Sequence, residues 1–243
     1  MKMLTFAKRN FKEIIRDPLN LSFLFGFPVV LLLLLSAIQA NIPVSLFEIE
    51  HLAPGVAVFG LSFMTLFSAT LIAKDRQSSF MHRLYTTPMT PVDFILGYTL
   101  PMLPIALTEG VATYVFAVIL GLEISAKILM GILFIIPTAL LYIAIGLLCG
   151  SLFNDKQVGG ICGALLTNLS AWLSGIWFDL DLVGGAFKGI AYVLPFVHSV
   201  EAERAAIAGS LSDALSHTAW VMGYATAILV VAVFVFLRQM KKK

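Results

Sequence analysis

The sequence predicts an all-α integral membrane protein with six transmembrane helices, and three observations predict it. Hydrophobic residues make up 59% of the 243 positions and charged residues 12%, where soluble domains average about half and a quarter. Six apolar runs, at 21–40, 52–73, 94–122, 128–150, 158–178 and 218–237, each reach the roughly 20 residues that a helix needs to cross the hydrocarbon core. Lysine and arginine then gather on one side of those runs.

Ahead of the first run, Leu4, Ala7, Phe11, Ile14 and Ile15 recur at helical spacing, with Lys8, Arg9, Lys12, Glu13 and Arg16 on the other face. Residues 1–17 are therefore expected to form an amphipathic helix in the interface, its cations near anionic head groups. The alternative is a positive tail that only sets topology. Pro18 breaks the chain before it turns into the bilayer. No small-residue cleavage site follows, and the first apolar run is too long for a signal-peptide core, so the N-terminus is expected to be retained.

In the third run, Pro101 and Pro104 should kink or tilt the helix rather than end it, because neighbouring helices re-satisfy freed carbonyls. The stretch 182–200 is a weaker candidate. It carries Lys188, Pro195, His198 and three glycines, Gly184, Gly185 and Gly189. It is expected to be a broken or re-entrant segment dipping in from the outer face, within a longer stretch, 179–217, before the last span.

An even number of spans puts both ends on one side. That side holds Lys2, Lys8, Arg9, Lys12, Arg16, Lys74, Arg76, Arg83, Lys156, Arg238 and Lys241 to Lys243, which is 13 of the 16 basic residues. Both termini are therefore expected in the cytoplasm of a multi-pass cell-membrane protein.

The cytoplasmic stretch 74–90 is longer than a connection requires. Phe80 and Leu84 stand four apart, as do Met81 and Tyr85, so a short helix there would present an apolar patch flanked by Lys74, Arg76, His82 and Arg83. Pro88 and Pro91 end it. Such a patch suits a docking element for a soluble partner or a second interfacial helix resting on lipid, and periodicity does not choose between them.

Within the membrane, Glu109 stands near the middle of the third run, where an ionised carboxylate costs several kcal/mol unless paired, hydrated or protonated. It is either a contact for a cationic substrate or a proton, or a neutral acid bonded to Thr113 or to hydroxyls of a neighbouring helix. On the fifth run Gly159, Gly163, Thr167, Ala171 and Gly175 are spaced by four, a band of small residues that lets another helix approach, within one chain or across a dimer. Outside, Glu201 and Arg204 are three apart and can pair on a short helix.

Several chemistries lack their residues. There is no phosphate-binding G-x-x-x-x-G-K-[ST] loop, no H-E-x-x-H and no C-x-x-C. His51, His82, His198 and His217 lie in separate segments, and Cys149 and Cys162 fall inside apolar runs as small hydrophobes. No catalytic, cofactor or metal site is expected on this chain.

The opening "AKRNFKEIIRDPLNLSFLFGFPVVLLLLL", with its Arg16-Asp17-Pro18 junction, resembles the interfacial helix and first span of type-2 ATP-binding-cassette (ABC) exporter permeases, the membrane subunits of bacterial efflux systems. "KDRQSSFMHRLYTTPMT" is similar to that family's segment after the second span, with Arg83, Leu84 and Pro88 in the pattern and Asp75 where glutamate is common. Gln77 and Ser79 depart from it. "LSGIWF" and "LPFVHSVEAERAAIAG" resemble the end of the fifth span and the segment before the sixth.

The resemblance implies that residues 1–243 form a single permease domain. It also implies that Asp75, Arg76, Phe80, Met81, Arg83, Leu84, Tyr85 and Pro88 belong to a coupling helix seated on a separate ATPase subunit, which would hold ATP and Mg²⁺. It implies a dimer, of identical or related permeases, whose second and fifth spans border the substrate path. Thr65, Ser68 and Thr70 on one and Thr167, Asn168 and Ser170 on the other suit such a path, as does Glu109. Gly159, Gly163, Ala171 and Gly175 would make the helix contact. Export of a hydrophobic drug, lipid or peptide follows as the expectation, with no enzymatic activity on this chain. The rival is an ion-gradient-driven secondary transporter or channel using Glu109, against which stand a single acid recognised within the spans and the lack of an inverted repeat. A third alternative is a membrane scaffold that transports nothing.

Overall fold

A computed structural model describes residues 2–78 and 89–240, with Lys2, Gln239 and Met240 described by their backbone alone. All elements among the described residues are helical. The first, α1 (Lys2–Ile15), buries Phe6, Ala7, Asn10 and Ile14 while Leu4 and Ile15 stay exposed. The amphipathic helix is thus present, but its inner stripe is turned from the expected one and packs on protein. Asp17 caps α2 (Pro18–Gln39), its carboxylate accepting from the Asn20 backbone N–H at 3.1 Å and side-chain amide at 2.8 Å. Pro18 sits in the first turn, where a missing N–H costs nothing.

The central element is α3 (Ile49–Gln77), 29 residues long and buried along most of its length. It packs against α2, against α5 (Met102–Ile119) and against α6 (Ala126–Leu152). Ahead of α5, α4 (Pro91–Thr99) is opened by a capping box in which Thr90 and Asp93 bond reciprocally. A turn at Leu100 and Pro101 separates α4 from α5. Both turn residues keep right-handed helical backbone, so 91–119 remains one spanning unit with a break at Pro101, which cannot donate to the ladder; the proline interrupts the helix without ending the span.

After α6, a capping box of Asn154 and Gln157 starts α7 (Asp155–Val158), which runs on into a π-helical stretch (Gly159–Leu166) and α8 (Thr167–Trp172). The segment before the last helix breaks into α9 (Leu180–Val183), α10 (Gly185–Val193) and α11 (Pro195–Ala208). Gly184, with φ 63°, makes the first break in a region of backbone space that favours glycine. The long α12 (Leu211–Met240) packs on α6 and α11.

Among the described residues, five helical units are long and apolar enough to cross a membrane: α2, α3, the α4–α5 pair, α6 and α12. The expectation of six thus meets five. The fifth run falls out of the set because it is divided among α7, the π-helical stretch and α8. The tightest helix crossing also lies elsewhere than on that run. On α6, a Cβ at Gly146 would stand 2.6 Å from the Thr65 carbonyl, and one at Gly150 would stand 2.6 Å from that of Ala69. This is a G-x-x-x-G crossing of α6 on α3.

Candidate functional site

At the end of α3 nearest the N-terminus, two neighbouring residues are tied to different helices. Asp75, only 3% exposed, accepts from Arg9 at 2.6 Å and from the Tyr98 hydroxyl at 3.0 Å through the same Oδ2 atom. Arg9 comes from α1 and Tyr98 from α4. Arg76 points the other way and donates to the Gly150 carbonyl at 2.7 Å, in the last turn of α6, where carbonyls lack helical partners and the helix dipole favours a cation.

The docking of α1 on α4 explains how Arg9 reaches Asp75. Asn10 donates to the Gly97 carbonyl at 2.9 Å, and Phe6 meets the rings of Phe94 and Tyr98 edge-on at 5.8 and 4.9 Å. A Cβ at Gly97 would stand 2.3 Å from the Phe6 ring, so only glycine permits this approach. Sequence reading placed Arg9 on the head-group face of α1. The fold instead turns it toward a buried carboxylate, because Phe6 and Asn10 anchor the helix on the same side.

Asp75 and Arg76 are the members of the expected coupling set that the structure describes. Asp75 faces inward and Arg76 caps α6. Phe80, Met81, Arg83, Leu84, Tyr85 and Pro88 lie outside the described residues. That stretch, 79–88, is thus bracketed by the Asp75 and Arg76 ties on one side and by the Thr90–Asp93 box and Tyr98 on the other.

Farther along α3, Thr65 donates to the Tyr142 carbonyl of α6 at 3.0 Å and Ser68 to its own Met64 carbonyl at 2.9 Å. Both are buried between α3 and α6, and Thr70 is partly exposed. On the fifth run Thr167 donates to the Cys162 carbonyl at 2.9 Å and Ser170 to that of Thr167 at 2.9 Å. Asn168 is exposed beside Leu165 and Trp172. Among the small residues, Gly163 lies against Leu66, Ala171 is buried, Gly175 takes φ 70°, and Gly159 faces open space.

Glu109 is buried and accepts from Thr113 at 3.1 Å. Gly60 of α3 leaves room for it, since a Cβ there would stand 2.0 Å from Glu109 Oε1. Sequence reading missed its companion. Glu203 of α11, within the stretch 179–217 expected on the outer side, is fully buried and accepts from Tyr114 of α5 at 2.9 Å. Its signal was its register: Phe196, Val200, Glu203 and Ala206 share one helix face, and all four are buried. Glu109 Oε2 and Glu203 Oε1 find no hydrogen-bond partner among the described residues. The expected pair of Glu201 and Arg204 is formed at 3.0 Å, and Arg204 also donates to the Gly175 carbonyl at 3.1 Å, tying α11 to the end of the fifth run.

Residues 1–208 match the family model described as ABC-2 type transporter. No curated protein matches the chain.

Proposed function

The chain belongs to the ABC-2 type transporter family, and we propose that it works as a dimeric exporter permease driven by separate ATPase subunits that hold ATP and Mg²⁺. As a permease subunit it carries transport rather than catalysis. In this reading the α7–π–α8 stretch continues into a sixth crossing, α9 to α11 form a re-entrant segment on the outer side, and both termini face the cytoplasm.

The observation that carries the proposal is the double tie at the end of α3. A displacement of 79–88 by a partner subunit would pass through Asp75 to α1 and α4 and through Arg76 to α6, so four helices would move together. Such tying is what a coupling element needs, because packed helices shift between discrete arrangements rather than deform smoothly. The substrate path would run between two copies, along the open face of the fifth run marked by Asn168, with Thr167 behind it. Thr65 and Ser68, engaged with backbone carbonyls, would hold α3 on α6 beside that path. Hydrophobic drugs, lipids or peptides are the proposed cargo.

The test is purification in mild detergent from the native membrane, followed by identification of associated chains and an ATPase assay, with and without Arg83→Ala and Leu84→Ala together. Recovery of an ATPase that the double change releases is the expected result. Recovery of the chain alone, still transporting in ATP-free vesicles under an ion gradient, would overturn the reading and direct attention to Glu109.

A further inference from the structure

Between the end of α1, the start of α2 and the end of α3 lies a half-open groove of about 270 Å³. Its floor is apolar, made by Ile14, Phe67 and Leu71, and its rim carries Arg16, Lys74, Glu13 and Asp17. Asp17 is engaged in capping α2 through Asn20. Arg16, Lys74 and Glu13 are exposed, and none of them forms an ion pair among the described residues.

The rim thus presents two cations and two carboxylates over an apolar floor, at the start of α2 and the end of α3, two helices long and apolar enough to cross a membrane. A ligand that matches it carries both signs of charge and an apolar stem. An anionic lipid would satisfy the cations and leave Glu13 and Asp17 facing a net negative head group. A free phosphate would leave the floor uncovered. We propose that this groove binds an amine-bearing zwitterionic phospholipid, its phosphate between Arg16 and Lys74, its ammonium at Glu13 and its stem against Phe67 and Leu71. Lys74 directly precedes Asp75, which already holds α1 through Arg9. The bound lipid therefore ties α1 to α3 on a second face.

The binding is measured on the purified chain by native mass spectrometry, titrating phosphatidylethanolamine, phosphatidylglycerol and inorganic phosphate, and it needs no partner subunit. Phosphatidylethanolamine should bind best. Arg16→Ala with Lys74→Ala should weaken it by about tenfold or more, the scale of losing charge-assisted phosphate contacts. Arg16→Lys with Lys74→Arg, which keeps both charges, should retain most of the binding and so exposes any loss due to misfolding. Lys12→Ala, on α1 but off the groove, should change nothing. Unchanged binding in the double alanine variant, or equal binding of phosphatidylglycerol, would overturn the proposal. Displacement of the lipid by inorganic phosphate would overturn it too, in favour of a free-anion site.

Discussion

Arg9 on the first helix and Asp75 at the end of the third, 66 residues apart in sequence, form an ion pair at 2.6 Å in which the carboxylate is almost wholly buried. Removing the arginine leaves that carboxylate, among the described residues, with the Tyr98 hydroxyl. Loss of one partner from a buried pair costs about 3–5 kcal/mol, and the partial exposure of Arg9 reduces this to about 2–3 kcal/mol. Arg9→Ala should therefore lower thermal stability in detergent more than Asp75→Asn does. In a double-mutant cycle with Asp75→Ala, the coupling should reach about 1–3 kcal/mol. Strictly additive effects would show that the pair holds nothing.

Two glycines should respond differently to the same substitution. Gly97→Ala meets the ring of Phe6, so it should destabilise by about 1–3 kcal/mol and be largely rescued by Phe6→Leu. Gly146→Ala meets the Thr65 backbone carbonyl as well as the Ser68 hydroxyl. Ser68→Ala should not rescue it, because the carbonyl stays. The check is the melting temperature of each single and double variant.

Gly60 and Glu109 form a complementary pair. Gly60→Ala places its methyl on Glu109 Oε1 and 2.9 Å from Pro28 Cγ, so it should destabilise, and Glu109→Ala should relieve it in part, leaving the Pro28 contact, where Glu109→Gln relieves none. By itself Glu109→Gln keeps an acceptor for Thr113 and should change stability by less than about 1 kcal/mol. Transport assays of this variant decide between the two roles: unchanged transport fits a bonded structural acid, and a loss confined to cationic substrates fits a contact residue.

On α11, outside the five spanning units, His198 Nε2 lies 3.0 Å from the Tyr192 carbonyl, and its Nδ1 lies 2.8 Å from that of His217 in the second turn of α12. A carbonyl only accepts, so Nε2 carries the hydrogen and neutral Nδ1 accepts from His217. Burial foremost holds His198 below the ordinary histidine value. A depressed value means that the unfolded chain binds more protons in this range. The stabilisation is then complete above about pH 6.5 and is lost as pH falls through the lower folded value. Melting temperature should drop between neutral and mildly acidic pH, and His198→Gln should flatten that drop. An unchanged slope in the variant would remove His198 as its source.

The break at Pro18 was legible in the residues themselves, and Asp17 there caps the next helix by bonding to backbone three residues away. The Thr90–Asp93 and Asn154–Gln157 boxes are local devices of the same kind that came to light only in the structure. The spacing of Glu201 and Arg204, also local, was legible. The inner face of α1 was not, because Phe6 and Asn10 have no local reason to turn inward. They do so because Gly97, 87 residues beyond Asn10, leaves space for a ring and offers a carbonyl.

By itself, the sequence determined that this protein is helical and membrane-embedded and where its apolar runs begin and end, since transfer into hydrocarbon depends on composition summed over about 20 residues. Only the tertiary structure decided that Glu203 turns inward to Tyr114, that the fifth run divides around a π-helical stretch, and that α6 rather than the fifth run makes the closest crossing on α3. Helix rotation about its own axis is set by what the neighbouring helices leave room for, and composition within a single run does not carry that information.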